Sequence, residues 1–259
     1  MNPSNGLEGL KSTLEELNLK YWASKLDGDM NELTPEVQRA VTALIRKWGA
    51  HEICERLGRK IQQRIIGAQF IKTQTVDTFD FEYNKSTREI KKPYLELFNE
   101  VAKDNLPSAV FTGNAGLGKT HLARALGYAA CQKNISVRFI ATAKMVNALT
   151  SAQRDHNLER ELSKYRRPQI LILDELGYLT MGNEASNLFF QVISARHDMG
   201  LGTIATTNTP FGNFNQIFAN NAIAHVIVDR IASDADAFYL EGKSYRPVLK
   251  EMKKNARKK

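Results

Sequence analysis

Apolar residues in the first third of the chain recur at the spacing of helices. Leucines lie three and four residues apart in LEGLKSTLEELNLKYWASKL, which predicts an amphipathic helix or helices. TPEVQRAVTALIRKW begins with Thr34 as a candidate N-cap and Pro35 at the first helical position. HEICERLGRKIQQRIIGAQF carries one apolar stripe of Ile53, Leu57, Ile61 and Ile65. Its basic side is either a solvated face or a surface for a phosphate backbone.

The pattern changes at about Val76. Residues 75–94, TVDTFDFEYNKSTREIKKPY, carry aromatic residues without a helical period, which predicts an extended connector. Five short apolar segments then alternate with helical patterns: SAVFTG, SVRFIATA, QILILDEL, GTIATTN and DAFYLEG. This alternation predicts a parallel sheet covered by helices on both faces. KMVNALTSAQRDHNLERELSKY predicts a long helical stretch, continuous or broken, and the terminal KKNARKK predicts a mobile basic tail.

We therefore predict two domains. Residues 1–74 form a small all-helical domain for oligomerisation, partner or DNA contacts, and residues 75–259 form an α/β domain with a basic C-terminal tail. The hydrophobic content of 42% is typical of globular proteins, and no apolar run approaches the roughly 20 residues that span a bilayer. The start of the chain lacks a signal-peptide pattern. We expect a cytoplasmic protein without a membrane partner, whose two cysteines, Cys54 and Cys131, stay reduced.

The charge balance narrows the partners only a little. The 36 Lys and Arg against 28 Asp and Glu give a formal net charge of +8. Such an excess favours polyanions, because each phosphate that is contacted releases condensed counterions. Many cytosolic proteins are equally basic without binding nucleic acid. The charge alone therefore does not show whether this protein binds a polyanion.

One segment has the composition of a phosphate-binding loop. It matches G-x-x-x-x-G-K-[ST] and comprises Gly113, Asn114, Ala115, Gly116, Leu117, Gly118, Lys119 and Thr120. The glycines allow backbone N–H groups to converge on phosphate, and the following helix directs its positive end to the same place. We expect Lys119 to reach the β- and γ-phosphates, Thr120 to ligate Mg²⁺ and the adjacent His121 to border the nucleotide. An apolar strand before the loop and a helix after it supply the required context.

Two further strands end in residues suited to phosphoryl transfer. ILILDE ends in Asp174, expected near the metal, and Glu175, expected to orient and deprotonate an attacking water. TIATTN ends in Asn208. If its strand lies between the other two, Asn208 would face the water and the γ-phosphate. The competing explanation for Asn208 is a turn before Thr209 and Pro210.

These motifs, in this order, resemble those of the AAA+ ATPases. GNAGLGKTHLARALG, LILDELGYL, TIATTNTPFGNFNQIF, VIVDRI and EGKSYR are similar to the IstB-like helper ATPases of insertion sequences, which are related to DnaC-type helicase loaders. NLKYWASKLDG and TVDTFDF are similar as well, so the resemblance covers nearly the whole chain. It implies a three-layer αβα P-loop fold, a parallel sheet without a C-terminal helical lid, and the small N-terminal helical domain.

The resemblance also implies site residues. Active sites would form between subunits of a ring or helical filament, with Arg230 of one subunit reaching the γ-phosphate held by the next. The alternative is an ion pair of Arg230 with Asp229 or Asp234. An aromatic residue of the connector, Phe79 or Phe81, would lie near the adenine, although core packing explains both residues equally well.

The function that the resemblance implies is Mg²⁺-dependent hydrolysis of ATP by a homo-oligomer that binds double-stranded DNA while ATP is bound and releases it on hydrolysis. This assembly would select or remodel target DNA and recruit the transposase of the same insertion sequence. The candidate DNA contacts lie in the basic segment between residues 144 and 167: Lys144, Arg154, Arg160, Lys164, Arg166 and Arg167. A DnaC-like helicase loader is the nearest alternative. A nucleotide-gated scaffold has no need for Glu175, and a metabolic kinase would need an acceptor pocket that the sequence does not indicate.

Overall fold

The structure is a computed structural model that describes residues 3–103, 105–233 and 235–256. The chain divides into two compact units, Met1–Gln62 and Gln63–Lys259. The division falls inside the third helix, whereas the sequence led us to expect a boundary between residues 74 and 75. No helix of the described ranges is both long and apolar enough to cross a bilayer.

The first unit is helical. It contains α1 (Pro3–Glu16), α2 (Lys20–Asn31) and the larger part of α3 (Pro35–Ala68), which begins at the proline expected at its first position. Its core is formed by five buried side chains, Leu10, Leu14, Ala23, Leu26 and Met30. Leu57, predicted to lie on an apolar stripe, is 46% exposed. On the basic side of α3, Arg56 and Arg59 pair with Glu52.

The second unit is built on a five-stranded parallel sheet with the order β2-β3-β4-β1-β5. Its strands are β1 (Ser108–Gly113), β2 (Val137–Ala141), β3 (Ile170–Leu176), β4 (Gly202–Thr207) and β5 (Ala235–Leu240). Its helices are α4 (Lys85–Ala102), α5 (Lys119–Gln132), α6 (Thr142–Arg154), α7 (Leu158–Arg166), α8 (Asn183–Asp198), α9 (Asn221–Ala232) and α10 (Arg246–Ala256).

Alternate residues of the strands pack into two separate cores. Ile170 and Ile172 of β3 face a core that includes residues of α4 and α5. Leu171 and Leu173 face a second core that includes residues of α6, α7, α8 and α9. Because both faces of β3 are covered, its residues from Ile170 to Leu173 are all apolar. The predicted three-layer parallel α/β fold is therefore confirmed.

The expectation of an extended connector is wrong for its second half. Residues 76–78 form a short 3₁₀ turn, but α4 begins at Lys85 and continues through Pro93. Ile90, Tyr94, Leu97 and Val101 of α4 pack against one core at helical spacing. This period becomes visible only when the segment is followed beyond Tyr94.

The chain's C-terminal region also differs from expectation. α10 extends to Ala256, so the first part of the predicted mobile tail is helical, as its lysines and alanine allow. The rest of the tail lies outside the described residues. After β5 the described chain carries this one helix and no helical bundle, in agreement with the expected fold without a lid.

A buried arginine joins α8 to the beginnings of β3 and β4. Arg196 is fully buried. Its guanidinium donates to the carbonyl oxygens of Tyr165 at 2.9 Å, Pro168 at 2.7 Å and Gln169 at 3.3 Å, and to that of Gly202. Its Nε donates to the Thr203 hydroxyl at 3.2 Å. Within the described residues none of its hydrogen-bond partners is a carboxylate, so backbone dipoles solvate this charge.

Candidate active site

The carboxyl ends of β1, β3 and β4 meet at a cavity of about 280 Å³. β4 lies between β1 and β3, which is the arrangement that the interpretation of Asn208 required. The cavity is lined by residues 115–121 of the loop and α5, by Glu175 from β3, and by Thr206, Thr207 and Asn208 from the end of β4. Arg124 of α5, residues before and in the first turn of α4, and residues at the start of α10 complete its wall.

The loop adopts a conformation that requires glycine. Gly116 and Gly118 have φ angles of 84° and 94°, in the left-handed region that side chains disfavour. A Cβ at Gly118 would also lie 2.4 Å from Cε2 of Phe79. The loop therefore brings its backbone against an aromatic ring, and α5 begins at the next residue, so its N-terminal N–H groups lie at the cavity.

Lys119 is held at the centre of the site. Its side chain is largely buried, and Nζ donates to the carbonyls of Gly113 and Asn114 at 2.6 and 2.8 Å and to Asn208 Oδ1 at 2.6 Å. Burial is the largest effect on its ammonium group and lowers the pKa of Lys119 to about 8, although the negative charge of Asp174 acts in the opposite direction. Gly113 and Asn114 thus contact Lys119 without lining the cavity themselves, and Asn208 meets the lysine directly.

Thr120 and Asp174 form the candidate metal site. The Thr120 hydroxyl donates to Asp174 Oδ1 at 2.7 Å, and Asp174 is 7% exposed. Hydroxyl and carboxylate oxygens are the ligands that Mg²⁺ takes from proteins when waters and phosphates supply the remaining positions. The described residues contain no cluster of three His, Cys, Asp or Glu side chains. The donor set thus fits a cation that is held jointly with phosphate.

Glu175 differs from its neighbours in β3. It is the one exposed residue of this strand, it lines the cavity, and its φ angle of 58° lies in the left-handed region. It also borders a second cavity of about 320 Å³, between α6 and the loop after β3. A carboxylate that faces the cavity beside Lys119 and Asn208 is suited to accept a proton from a bound water.

Phe79 and Phe81 occupy different environments. Phe79 lines the cavity and meets the ring of His121 edge-on at 5.3 Å. Phe81 is 7% exposed and packs in the core behind Phe79. His121 Nε2 lies 2.9 Å from the Thr75 carbonyl, and since a carbonyl only accepts, this nitrogen carries the hydrogen. Of the two aromatic candidates, Phe79 is the one placed to touch a ligand.

Two arginines at the cavity were not predicted from the sequence. Arg124 of α5 lies over the Phe139 ring at 4.4 Å, with Nη2 4.0 Å from Asp174 Oδ2. Arg246 lines the cavity at the start of α10, where its charge also lowers the pKa of Lys119. The preceding N–H, that of Tyr245, donates to the Gly116 carbonyl at 2.9 Å. Arg124 follows Thr120 by one helical turn, which was an available signal.

Arg230 lies apart from the cavity of its own chain. Its guanidinium lies 5.3 Å from the centre of the Phe190 ring, and Nη1 is 3.9 Å from Asp198 Oδ1, too far for a hydrogen bond. The ion pair considered from the sequence involved Asp229 or Asp234. The structure shows Asp198 as its acidic neighbour, and Asp234 lies outside the described residues.

The candidate DNA-binding residues lie on α6, on α7 and at the residue that follows α7, Arg167. Lys144, Arg154, Arg160, Lys164 and Arg167 are exposed, whereas Arg166 is partly buried. Arg166 pairs with Glu159 at 3.0 Å and Lys164 with Glu161. The predicted helical stretch breaks between α6 and α7 at His156, which has a φ angle of 55°. Among the described residues, Lys164 and Arg166 are thus the candidates with ion pairs, and Arg160 and Arg167, about two helical turns apart, have none.

Comparison with known proteins identifies the family. The family profile described as "IstB-like ATP binding protein" matches residues 12–255. The chain belongs to this IstB-like family. One relative, an insertion sequence IS232 putative ATP-binding protein of Bacillus thuringiensis subsp. berliner, is 33% identical over 93% of this chain and 95% of its own length. Another, from IS21 of Pseudomonas aeruginosa, is 31% identical over 82% of this chain and 76% of its own.

Solved structures share the fold of much of this IstB-like protein. The DnaC helicase loader superposes with a TM-score of 0.57 at 20% identity, over 64% of this chain and 96% of that one. AMPPCP-bound DnaA from Aquifex aeolicus superposes with a TM-score of 0.55 at 18% identity, over 72% and 56%. At these identities the likeness shows the fold alone. The predicted family and fold are thereby confirmed.

Proposed function

We propose that this IstB-like protein is a Mg²⁺-dependent ATPase that assembles on duplex DNA while ATP is bound and presents target DNA to the transposase of its insertion sequence. One observation carries the proposal: Lys119, Glu175 and Asn208 converge on a single cavity at the ends of three adjacent strands. The hydrogen-bonded pair of Thr120 and Asp174 lies beside them.

The chemistry follows from the roles that these groups can take. On binding, the γ-phosphate would receive hydrogen bonds from Lys119 and Asn208. Mg²⁺, held by Thr120 and Asp174, would neutralise charge on the phosphate oxygens. Glu175 would orient a water and accept its proton as the water oxygen bonds to the γ-phosphorus and the bond to the ADP oxygen breaks. Phe79 would pack against the base.

Arg230 would complete the site of a neighbouring copy. It lies outside its own cavity, its Nη1 makes no hydrogen bond within the described residues, and it is held against Phe190 rather than by a close carboxylate. A planar guanidinium spreads over the charge that develops on a transferring phosphoryl group. If Arg230 of one copy bonds to the γ-phosphate held by the next, the two copies would associate only while ATP is bound.

The nucleotide affinity of the proposed site should depend on pH, because Lys119 loses its charge as the pH rises. Only the ammonium form pairs with phosphate, and a bound triphosphate raises its pKa above the value of about 8. Affinity is therefore constant below about pH 8 and falls as the pH rises above it, by up to about tenfold per unit. Calorimetric titration with a non-hydrolysable ATP analogue between about pH 7 and 9.5 measures this. Lys119→Arg, which keeps its charge, should remove the decline; a flat wild-type profile contradicts the assignment.

Assembly on DNA is the decisive test of the proposed function. With a non-hydrolysable ATP analogue and long linear duplex DNA, we expect large protein–DNA assemblies by electron microscopy and sedimentation, and much smaller species with ADP. Solitary protein in the presence of both saturating analogue and duplex would refute the proposal. Preferential assembly on single-stranded DNA would favour the helicase-loader alternative instead.

A charge-reversal pair tests the proposed DNA surface within the same assay. Arg160→Glu with Arg167→Glu should weaken duplex binding and reduce the salt slope by about 2, since each lost phosphate contact contributes ~0.9. The control pair, Lys72→Glu with Lys133→Glu, changes the net charge equally at two exposed sites outside α6 and α7. Equal losses in both pairs would show a general charge effect and remove α7 from the interface.

A further inference from the structure

Thr206 lies between the two acidic residues at the end of β3. Its hydroxyl donates to Asp174 Oδ1 at 2.6 Å and accepts the backbone N–H of Glu175 at 3.0 Å. Both directions are fixed, because a carboxylate only accepts and an amide N–H only donates. Thr206 is 1% exposed, so water does not replace either contact readily. One hydroxyl therefore joins Asp174 to the backbone of Glu175.

The backbone at Glu175 needs such a contact. The pairing of β3 with β4 shifts register between Leu173 and Leu176, and Glu175 lies within this irregularity with a φ angle of 58°. Residues other than glycine disfavour this conformation and keep it when surrounding contacts impose it. It exposes the Glu175 side chain in a strand whose other residues are buried. The Glu175 N–H bonds to a side chain of the neighbouring strand at this point.

The Asp174 carboxylate is fixed by the same group. Oδ1 accepts from Thr206 and also from Thr120, at 2.6 and 2.7 Å. Two hydroxyls from different elements thus set the plane of the carboxylate. The next threonine of β4, Thr207, behaves differently: its hydroxyl pairs with the backbone of Thr209 in the following turn. Of these two threonines, Thr206 is the one whose hydroxyl bonds to β3.

We infer that Thr206 is a positioning residue for ATP hydrolysis. Its hydroxyl imposes the irregular backbone that directs the Glu175 carboxylate into the cavity, and it orients Asp174 at the same time. The role needs one donor and one acceptor on the same atom, which serine shares and valine lacks. The branched Cβ of threonine restricts χ1 and so holds the hydroxyl in place. This inference rests on the proposed ATPase function and gives a role to a residue to which the sequence motifs assigned none.

The test compares variants of Thr206 by steady-state phosphate release and by binding of a non-hydrolysable ATP analogue. Thr206→Val preserves shape and should lower kcat about 10²-fold, because a displacement of about 1 Å at a reacting group has an effect of this size. Affinity for the analogue should change less than about threefold, since Lys119 and the loop are untouched. Thr206→Ser should recover most of kcat. The control Thr112→Val, at another buried strand position, should match wild type.

The outcomes separate this inference from the proposed function. Wild-type protein that releases no phosphate refutes the ATPase and this role together. Active wild type with an equally active Thr206→Val variant refutes the role alone. So does a serine variant as impaired as the valine variant, which would indicate a structural effect. If the valine variant does not fold, as judged by circular dichroism, Thr206→Ala and Thr206→Ser form the comparison, and equal kcat in these two overturns the inference.

Discussion

Replacing Glu175 with glutamine is expected to reduce ATP turnover by ~10²–10⁴-fold, the contribution typical of a positioned general base. The side chain keeps its shape and can still hold a water, but an amide does not accept the proton. Among the described residues, Glu175 makes no hydrogen bond to the phosphate-binding loop. Nucleotide affinity should therefore be unchanged. The loss should therefore appear in kcat and not in binding.

The Glu175→Gln variant should also change the lifetime of assemblies on DNA. If hydrolysis releases the DNA, the variant should remain bound long after wild-type protein has dissociated in ATP. Dissociation followed by single-molecule fluorescence after free protein is removed measures this lifetime. Glu184→Gln, at an exposed position of α8, is the matched control and should behave as wild type. Wild-type dissociation rates in Glu175→Gln would contradict the link between hydrolysis and release.

Replacing Arg196 with leucine is expected to lower the free energy of unfolding by about 3–5 kcal/mol. The guanidinium donates to four buried or partly buried carbonyls, those of Tyr165, Pro168, Gln169 and Gly202. Leucine would remove this donor from all four carbonyls, although that of Gln169 still accepts from the Gly202 N–H. Each buried group left unsatisfied costs about 1–3 kcal/mol, in part recovered by relaxation or by water. Arg196 has no carboxylate partner among the described residues, so the substitution leaves no buried charge unpaired. The loss of stability should therefore be smaller than the sum of the costs for the individual carbonyls.

Chemical denaturation monitored by circular dichroism measures this loss. Arg88→Leu is the control, because Arg88 is an exposed arginine that pairs with Glu82 and should cost no more than about 1 kcal/mol. Arg196→Lys keeps the charge but not the planar fork, so its stability should lie between those of wild type and Arg196→Leu. A loss for Arg196→Leu no larger than for Arg88→Leu would show that the carbonyls find other partners.

The sheet and the phosphate-binding loop could be predicted because their signals are local. Each strand is a short apolar run between turns, and the loop's glycines and lysine are adjacent in sequence. The position of β4 between β1 and β3 could be stated only as a condition, since strand order depends on crossover connections. Once this order is known, the meeting of Asn208 with Lys119 follows from parallel strands ending at one edge.

Other features depend on contacts between distant segments. Arg246 reaches the cavity because Asn84 bonds to both backbone groups of Lys243, and because Tyr245 bonds to Gly116. The residues of each pair are more than a hundred positions apart in the sequence, and no local sequence pattern predicts such contacts. The contact of Thr206 with Asp174 likewise needs the register between two strands. The helix α4 is a different case, because its period was present but lay beyond the segment in which it was sought.

The hydrogen bonds of Arg196 have a mechanical consequence for the proposed binding of duplex DNA. They tie the end of α7 to the first residues of β3 and β4, the two strands whose far ends carry Asp174, Glu175 and Asn208. A force applied to α7 would then be transmitted to β3 and β4 through these hydrogen bonds, instead of moving α7 relative to the sheet. Tension or bending in a duplex bound at α7 would then be transmitted to Asp174, Glu175 and Asn208.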